Sequence, residues 1–269
     1  MPKLGLGTFL IPNEEVKDKV LEALKIGYRH IDTAQRYGNE EGIGKAIKET
    51  SIPRNEIFIT SKQMYHMPYE EAKKAFFDSL KKLNTDYLDL FLIHWPNHNH
   101  NINIDTWKFF EWLYENKYVR AIGVSNFTIE HIKALLEQTN ITPHVNQVEL
   151  HPGLQQRPLR EFHDTLGIKT IGYGPFMRGG ILEPPFHETL ASIASKYGIT
   201  IHQVVVSWGI QEGVFMIPKS SSYEKLKQNF DASNVILSQE DIDIISSLNR
   251  GKRVYTDPSN NPWGIFKTN

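Results

Sequence analysis

The stretch YRHIDTAQRYGNE, residues 28–40, holds a whole structural unit in miniature. A short run containing aromatic and β-branched residues ends in a carboxylate, Asp32. A turn follows and carries a phenol, Tyr37. A Gly-Asn-Glu step then opens a helical pattern over about 40–50. The unit recurs along the chain. Apolar runs at 4–8, 28–33, 57–62, 88–94, 120–126, 144–150, 169–175 and 214–220 alternate with amphipathic stretches. In NEEVKDKVLEALKIG (13–27), Asn13 is the predicted N-cap, Val16, Val20 and Leu24 repeat every four residues, and Gly27 closes the helix. Further helices are predicted at 68–84, 104–118, 128–139, 157–167 and 187–212, with two more in the tail at 222–232 and 238–249.

Eight strands alternating with helices imply a parallel sheet. Eight units in a chain of 269 residues fit a closed (β/α)8 TIM barrel, one α/β domain over 1–269 with extra C-terminal helices and loops. A doubly wound open sheet is the alternative. GLG at 5–7 points that way, but the third glycine of a dinucleotide fingerprint would fall on Leu10.

Lys and Arg total 30 against 31 Asp and Glu, a balance that favours neither nucleic acid nor an anionic membrane as partner. There is no cysteine, which excludes disulfides, thiol nucleophiles and thiolate metal sites and agrees with a reducing compartment. MPKLGLGTF lacks the pattern of a signal peptide, and no apolar run is long enough for a membrane span. The expectation is a cytoplasmic protein, with nothing demanding more than a monomer.

Polar residues gather at the ends of the apolar runs. They are Asp32, Lys62, His94, Ser125 with Asn126, Gln147 with Glu149, Tyr173, and Lys219 with Ser220. In a parallel barrel all strand C-termini open on one face, so these scattered residues should converge there. Each alone has a structural reading: Asp32 as a turn cap, Lys62 meeting solvent, His94 as a satisfied strand histidine. Together they select a chemistry. A phenol near pKa 10 is a poor acid at neutral pH, and a nearby ammonium should lower it. Asp32, Lys62 and Tyr37 supply such a relay, and neutral His94 could orient a substrate oxygen. The set would protonate a carbonyl oxygen as its carbon accepts hydride. No side chain supplies hydride, so a nicotinamide cofactor is implied.

The cofactor's phosphates need sites, and barrels often place these after strands seven and eight. Here those positions carry PFMRGG (175–180) and KSSSYEKLKQNF (219–230). Ser221 and Glu224 have capping-box spacing, flanked by Lys219 and Lys225, and this reads either as an anion site or as an ordinary capped helix. HWPNHNH (94–100) offers three histidines, but its spacing matches no helix face, and no metal site is assigned.

HIDTAQRYGNE, ITSK, DYLDLFLIHWP, IGVSNF, NQVELHP, IPKS and the Asn of KQNF, in this order, resemble the aldo-keto reductases, specifically short microbial members of the 2,5-diketogluconate reductase type. The resemblance runs from GLGTF to LNRGKR and implies an NADPH-dependent barrel reductase of aldehydes or ketones, NADH being the lesser alternative. It implies Tyr37 as proton donor, tuned by Lys62 and Asp32, with His94 orienting the carbonyl. Ser125, Asn126 and Gln147 would hold the carboxamide, and Tyr173 would stack on the nicotinamide. Thr8, Phe176, Lys219, Ser220, Lys225, Gln228 and Asn229 would serve the rest of the cofactor. Phe9 and Trp95 would line the substrate pocket, with Trp263 adding to its aromatic wall. The chain departs from the family pattern at several positions. Lys225 stands for the usual arginine, Gln228 for an acid, Gly174 for a serine, Met64 for a tryptophan and Met177 for a glycine. The first strand of the usual bottom-closing hairpin is largely missing, so that end of the barrel is expected to be less covered. A cofactor-binding module without catalysis is the rival reading, and the intact catalytic set stands against it.

Overall fold

The computed structural model describes residues 1–64, 66–220 and 222–260. Eight strands form one sheet: β1 Leu6–Gly7, β2 His30–Asp32, β3 Phe58–Gln63, β4 Leu90–Ile93, β5 Ile122–Ser125, β6 Val145–Glu149, β7 Lys169–Tyr173 and β8 Phe215–Met216. They pair in parallel, each with the next in sequence. The seam closes between the two shortest. Gly5 N donates to Met216 O at 2.8 Å, Met216 N to Lys3 O at 2.8 Å and Gly7 N to Pro218 O at 3.2 Å. The result is the (β/α)8 barrel expected from the alternation, not the open sheet. Gly7 allows the close approach: a Cβ there would lie 2.7 Å from Ile217 O.

Strand register sorts the side chains. Asp32 pairs with Thr60, Lys62 with Leu92, and Ser125 with Gln147, so alternate residues of neighbouring strands share a face. Leu90, Leu92, Val145, Ile171 and Ile217 form a small cluster of their own inside the barrel. Phe91 and Ile93 instead belong to the larger core between barrel and helices, beside Phe76, Trp107 and Phe110. A continuous apolar strand is what a sheet covered on both faces requires.

The helices are α1 Asn13–Ile26, α2 Glu40–Glu49, α3 Tyr69–Lys82, α4 His100–Glu115, α5 Ile129–Leu136, α6 Arg157–Leu166, α7 Phe186–Tyr197, α8 Ile201–Gln211, α9 Tyr223–Asp231 and α10 Gln239–Ser246. Three local expectations change. The predicted helix over 187–212 is two helices, because Gly198 turns left-handed at φ 65° and Thr200 with Gln203 builds a capping box for α8. Asn13 is the first helical residue and not its cap; its Oδ1 accepts from Gly42 N at 2.8 Å and ties α1 to α2. Finally, α4 starts earlier than predicted, capped by the Asn99 side chain accepting from Asn101 N.

Several histidines are buried as neutral groups. Burial lowers His30 to about 3, and His66 and His163 to about 4, from an ordinary 6.5. His163 shows how neutrality is used, bridging Asn146 and Thr170 at 3.0 and 2.9 Å. An unfolded chain protonates these rings near pH 6.5, whereas the fold resists until about 3–4. Their contribution is therefore complete above 6.5 and is lost progressively as pH falls. Asp32 and Glu40, raised by burial, act in the opposite sense. The histidines should outweigh them. We expect stability to fall from pH 7 to pH 5 by roughly 2 kcal/mol for each fully buried imidazole, less the carboxylate offset. Urea midpoints followed by circular dichroism check this.

Candidate active site

The opening stretch builds one wall of a cavity at the strand C-termini. After Asp32 the chain turns through a short 3-10 segment, Gln35–Tyr37, and Gly38 reverses it at φ 68°. Asn39 locks the turn. Its Nδ2 donates to Thr8 O at 2.9 Å and Ile11 O at 3.0 Å, and its Oδ1 accepts from Thr33 Oγ1 at 2.7 Å. Glu40 is buried behind it and accepts from Ser61 Oγ at 2.7 Å and Ser79 Oγ at 3.1 Å. The Asn-Glu pair thus fixes where the phenol stands.

Lys62, fully buried on β3, reaches across. Its Nζ lies 2.5 Å from Asp32 Oδ1, 2.9 Å from Thr33 O and 3.4 Å from Tyr37 Oη. Gln147 Nε2 donates to the other Asp32 oxygen at 2.7 Å. His94 meets the Tyr37 ring edge-on at 5.7 Å, and Phe9 packs on that ring at 5.0 Å. The four residues predicted to act together are together.

The electrostatics correct one expectation. Burial pushes Tyr37 well above 10, with the Asp32 carboxylate and then Tyr255 adding to the effect. The expected lowering by Lys62 does not prevail against desolvation and the Asp32 charge. Burial likewise pushes Lys62 down and Asp32 up, while their contact opposes both shifts. His94 is held well below 6.5 by burial, then by Lys62 and Arg36, so its ring is neutral. Its Nδ1 is buried with no hydrogen-bond partner among the described residues.

The cavity has a volume of about 370 Å³. Among the predicted residues, Asp32, Tyr37, His94, Phe9, Trp95, Ser125, Asn126, Gln147, Tyr173, Phe176 and Lys219 line it. Lys62 sits beneath it. Asn126 stands at a left-handed φ of 64°, and its amide bridges His94 O, at 3.0 Å, and Tyr173 Oη, at 2.8 Å. Thr8 is not on the wall: its hydroxyl is buried and donates to Asp32 O at 2.9 Å. Ser220, Lys225, Gln228 and Asn229 also lie outside the cavity lining. The last three are on α9, whose N-cap is Ser222, accepting from Lys225 N, in place of the predicted Ser221. Ser221 and Trp263 lie outside the described residues. Of the histidine loop, His94 faces the cavity, whereas His100 opens α4 and packs against His131 at 5.5 Å.

Sequence reasoning missed Arg36, Arg178, Tyr255 and Thr256 on the cavity wall. Arg178 lay within a loop read as an anion site and was not singled out. Tyr255 carried no local signal. A buried carboxylate places it: Glu149 Oε1 accepts from Val254 N at 2.7 Å and lies 2.9 Å from His151 Nε2. The chain beyond α10 is thereby pinned across the end of β6.

A sequence profile described as the Aldo/keto reductase family matches residues 3–250. The chain belongs to the aldo/keto reductase family. With that membership it is an NAD(P)H-dependent oxidoreductase. The glyoxal reductase of Bacillus subtilis is 45% identical over 260 residues, covering 96% of this chain and 92% of the relative. An aldo-keto reductase from a Medee basin deep-sea metagenome library superposes with a TM-score of 0.93 at 44% identity, covering 97% and 96% of the two chains. A variant of Gox0644 in complex with NADPH superposes at 0.91 with 38% identity, covering 97% and 94%.

The Asn39 lock carries a prediction. Asn39→Ala takes the Asn39 amide from Ile11 O and from the Thr33 hydroxyl, while Thr8 O keeps Ile11 N, and should cost about 1–3 kcal/mol of stability. It should also lower turnover, because Tyr37 loses its anchored turn. Urea unfolding and carbonyl-dependent NADPH oxidation, measured on the same preparation, check both.

Proposed function

We propose that the protein reduces small aldehydes or ketones to alcohols with NADPH, Tyr37 donating the proton. The observation behind this reading is one arrangement: a half-buried phenol on the cavity wall, 3.4 Å from an ammonium held 2.5 Å from a carboxylate. The donor set of the cavity suits a dinucleotide. Ser125, Asn126 and Gln147 offer hydroxyl and amide groups beside the Tyr173 ring, and Lys219 and Arg178 bring cations. Tyr173 would stack on the nicotinamide, and Phe176 would continue that wall. Lys219, Ser220 and the α9 residues Lys225, Gln228 and Asn229 would hold the adenosine phosphate end, helped by the free N–H groups at the α9 N-terminus. Thr8 would act through Asp32 and not through direct contact. When bound, the nicotinamide supplies the hydride that no side chain can.

The side chains handle the proton. Neutral His94 donates a hydrogen bond to the substrate carbonyl and sets its angle. Tyr37 keeps its proton through the ordinary pH range because desolvation and the nearby Asp32 charge both disfavour the phenolate. As the carbonyl oxygen gains charge, the phenol proton moves to it. The resulting phenolate faces the Lys62 ammonium, and Asp32 keeps that ammonium in place. Phe9 and Trp95 offer an apolar wall to the substrate. The Bacillus relative's name makes glyoxal a first substrate to assay. Among the described residues no helix is long and apolar enough to cross a membrane. A cysteine-free chain suits a reducing compartment, and we place the protein in the cytoplasm as a monomer.

Tyr37→Phe should lower turnover by about 10²-fold or more while leaving the NADP⁺ dissociation constant close to wild type. Steady-state rates with equilibrium binding separate the two. A variant that keeps most of its turnover would remove Tyr37 as the acid. The pH profile should also be flat. With Tyr37 pushed well above 10 and His94 well below 6.5, neither changes protonation between pH 6.5 and 9. The rate of carbonyl reduction should therefore vary little across that range, as stopped-flow measurement of NADPH oxidation would register.

A further inference from the structure

His66 is buried, although it stands in the loop between β3 and α3 and off the cavity wall. Both of its ring nitrogens are engaged. Nε2 lies 2.9 Å from Trp95 O, and Nδ1 lies 2.9 Å from Thr106 Oγ1 on α4. A carbonyl can only accept, so Nε2 carries the ring proton and donates to Trp95 O. Burial keeps the ring neutral, and Nδ1 accepts from the Thr106 hydroxyl, which also lies 2.8 Å from Ile102 O. One side chain thus joins the loop after β3, the loop after β4 and the helix that follows.

The bond to Trp95 O falls at a sensitive place. Asn126 Nδ2 donates to His94 O at 3.0 Å, one residue earlier. These two carbonyls belong to the peptide groups on either side of Trp95 Cα. Peptide groups are planar, so holding both fixes the direction of the Cα–Cβ bond between them. Pro96 narrows the Trp95 backbone further, toward extended conformations. Asn126 follows β5 and His66 follows β3, so the segment after β4 is gripped from both neighbouring strands. Past Pro96, Asn103 Oδ1 accepts from Asn97 N at 2.7 Å, and Asn103 Nδ2 donates to Asn97 O at 2.9 Å. The indole that this backbone carries is half-buried and lines the cavity beside His94.

We propose that His66 is a positioning residue for substrate choice: by holding Trp95 O it sets the Trp95 indole as a flat wall that favours aromatic carbonyl substrates. His66 touches no reacting atom and acts through Trp95. A ring laid against an indole gains roughly 3- to 10-fold in affinity beyond its burial. A two-carbon dicarbonyl such as glyoxal has no ring to lay there. The catalytic His94 keeps its own anchor in Asn126, so the chemical step does not depend on His66. The inference rests on the reductase reading above and adds to it the class of substrate that the cavity prefers.

Steady-state kinetics with NADPH test it, with benzaldehyde and glyoxal as paired probes. His66→Ala should raise KM for benzaldehyde about 3- to 10-fold and change its kcat by less than about twofold. Both constants for glyoxal should stay within about twofold of wild type. His66→Gln places an amide nitrogen where Nε2 stood and should restore the benzaldehyde KM. His66→Asn reaches only Thr106 and should behave like His66→Ala. Trp95→Ala should also raise the benzaldehyde KM, and adding His66→Ala to it should cost nothing further. An unchanged benzaldehyde KM in His66→Ala would overturn the positioning role alone. So would equal losses for both probes, the mark of a merely structural residue, or fully additive effects in the double variant. If His66→Ala does not fold, the contrast between Asn and Gln decides, and equal behaviour of the two overturns the role. A wild type without carbonyl-dependent NADPH oxidation would remove the reductase reading and this inference with it.

Discussion

The buried pair of Asp32 and Lys62 is the constraint around which the rest is arranged. Both side chains are almost wholly removed from water, 2 and 0% exposed. Removing two charges from water costs several kcal/mol per ion, and mutual attraction repays this only when the remaining polar valences are filled. They are filled here. Gln147 reaches Asp32 from the opposite side of the barrel, and the Thr33 carbonyl takes a second Lys62 proton. A pair of well-packed apolar residues would hold the barrel together at least as well. The pair is therefore best understood through the phenol beside it. An ammonium locked at one distance can meet a new negative charge without reorganising.

Holding that pair in place explains features that otherwise look unrelated. The barrel register brings residues 32, 62 and 147 to one level from three strands. Asn39 and Glu40 extend the order into the turn, so Tyr37 approaches Lys62 from a lid anchored on both flanks. Tyr173 and Asn126 carry it to the far wall through a hydrogen bond between their side chains. The polar site is one connected network apart from His94 Nδ1, which has no partner among the described residues, and such networks hold one geometry where their members are satisfied.

Much of this was legible from residue order, for a physical reason. A parallel barrel turns position along each strand into height within the molecule, so a polar residue ending an apolar run must lie at the mouth. That single rule located Asp32, Lys62, His94, Ser125, Gln147, Tyr173 and Lys219. What escaped it depended on contacts between distant segments. Tyr255 reaches the cavity through Glu149, more than a hundred residues earlier, and no local pattern in RVYT announces it. The direction of the Tyr37 shift turned on desolvation at the wall, with the Asp32 charge adding to it, which spacing does not encode. Thr8 sits at a strand end yet turns its hydroxyl to the Asp32 backbone carbonyl, a choice its position in the sequence does not reveal. The break at Gly198 was readable, since Thr200 and Gln203 have capping-box spacing, but the apolar rhythm on either side masked it.

The seam between β1 and β8 has a consequence for how the chain reaches this state. Its partners lie some two hundred residues apart, and only a few backbone bonds join them. A ribosome must release more than two hundred residues before Gly5 and Gly7 can find Met216 and Pro218. Until then, the first strand carries an uncovered edge, and Lys219 has no fixed place opposite Gly7. A working pocket therefore waits on that distant contact. A nascent chain can bury helices early, but it gains its chemistry all at once.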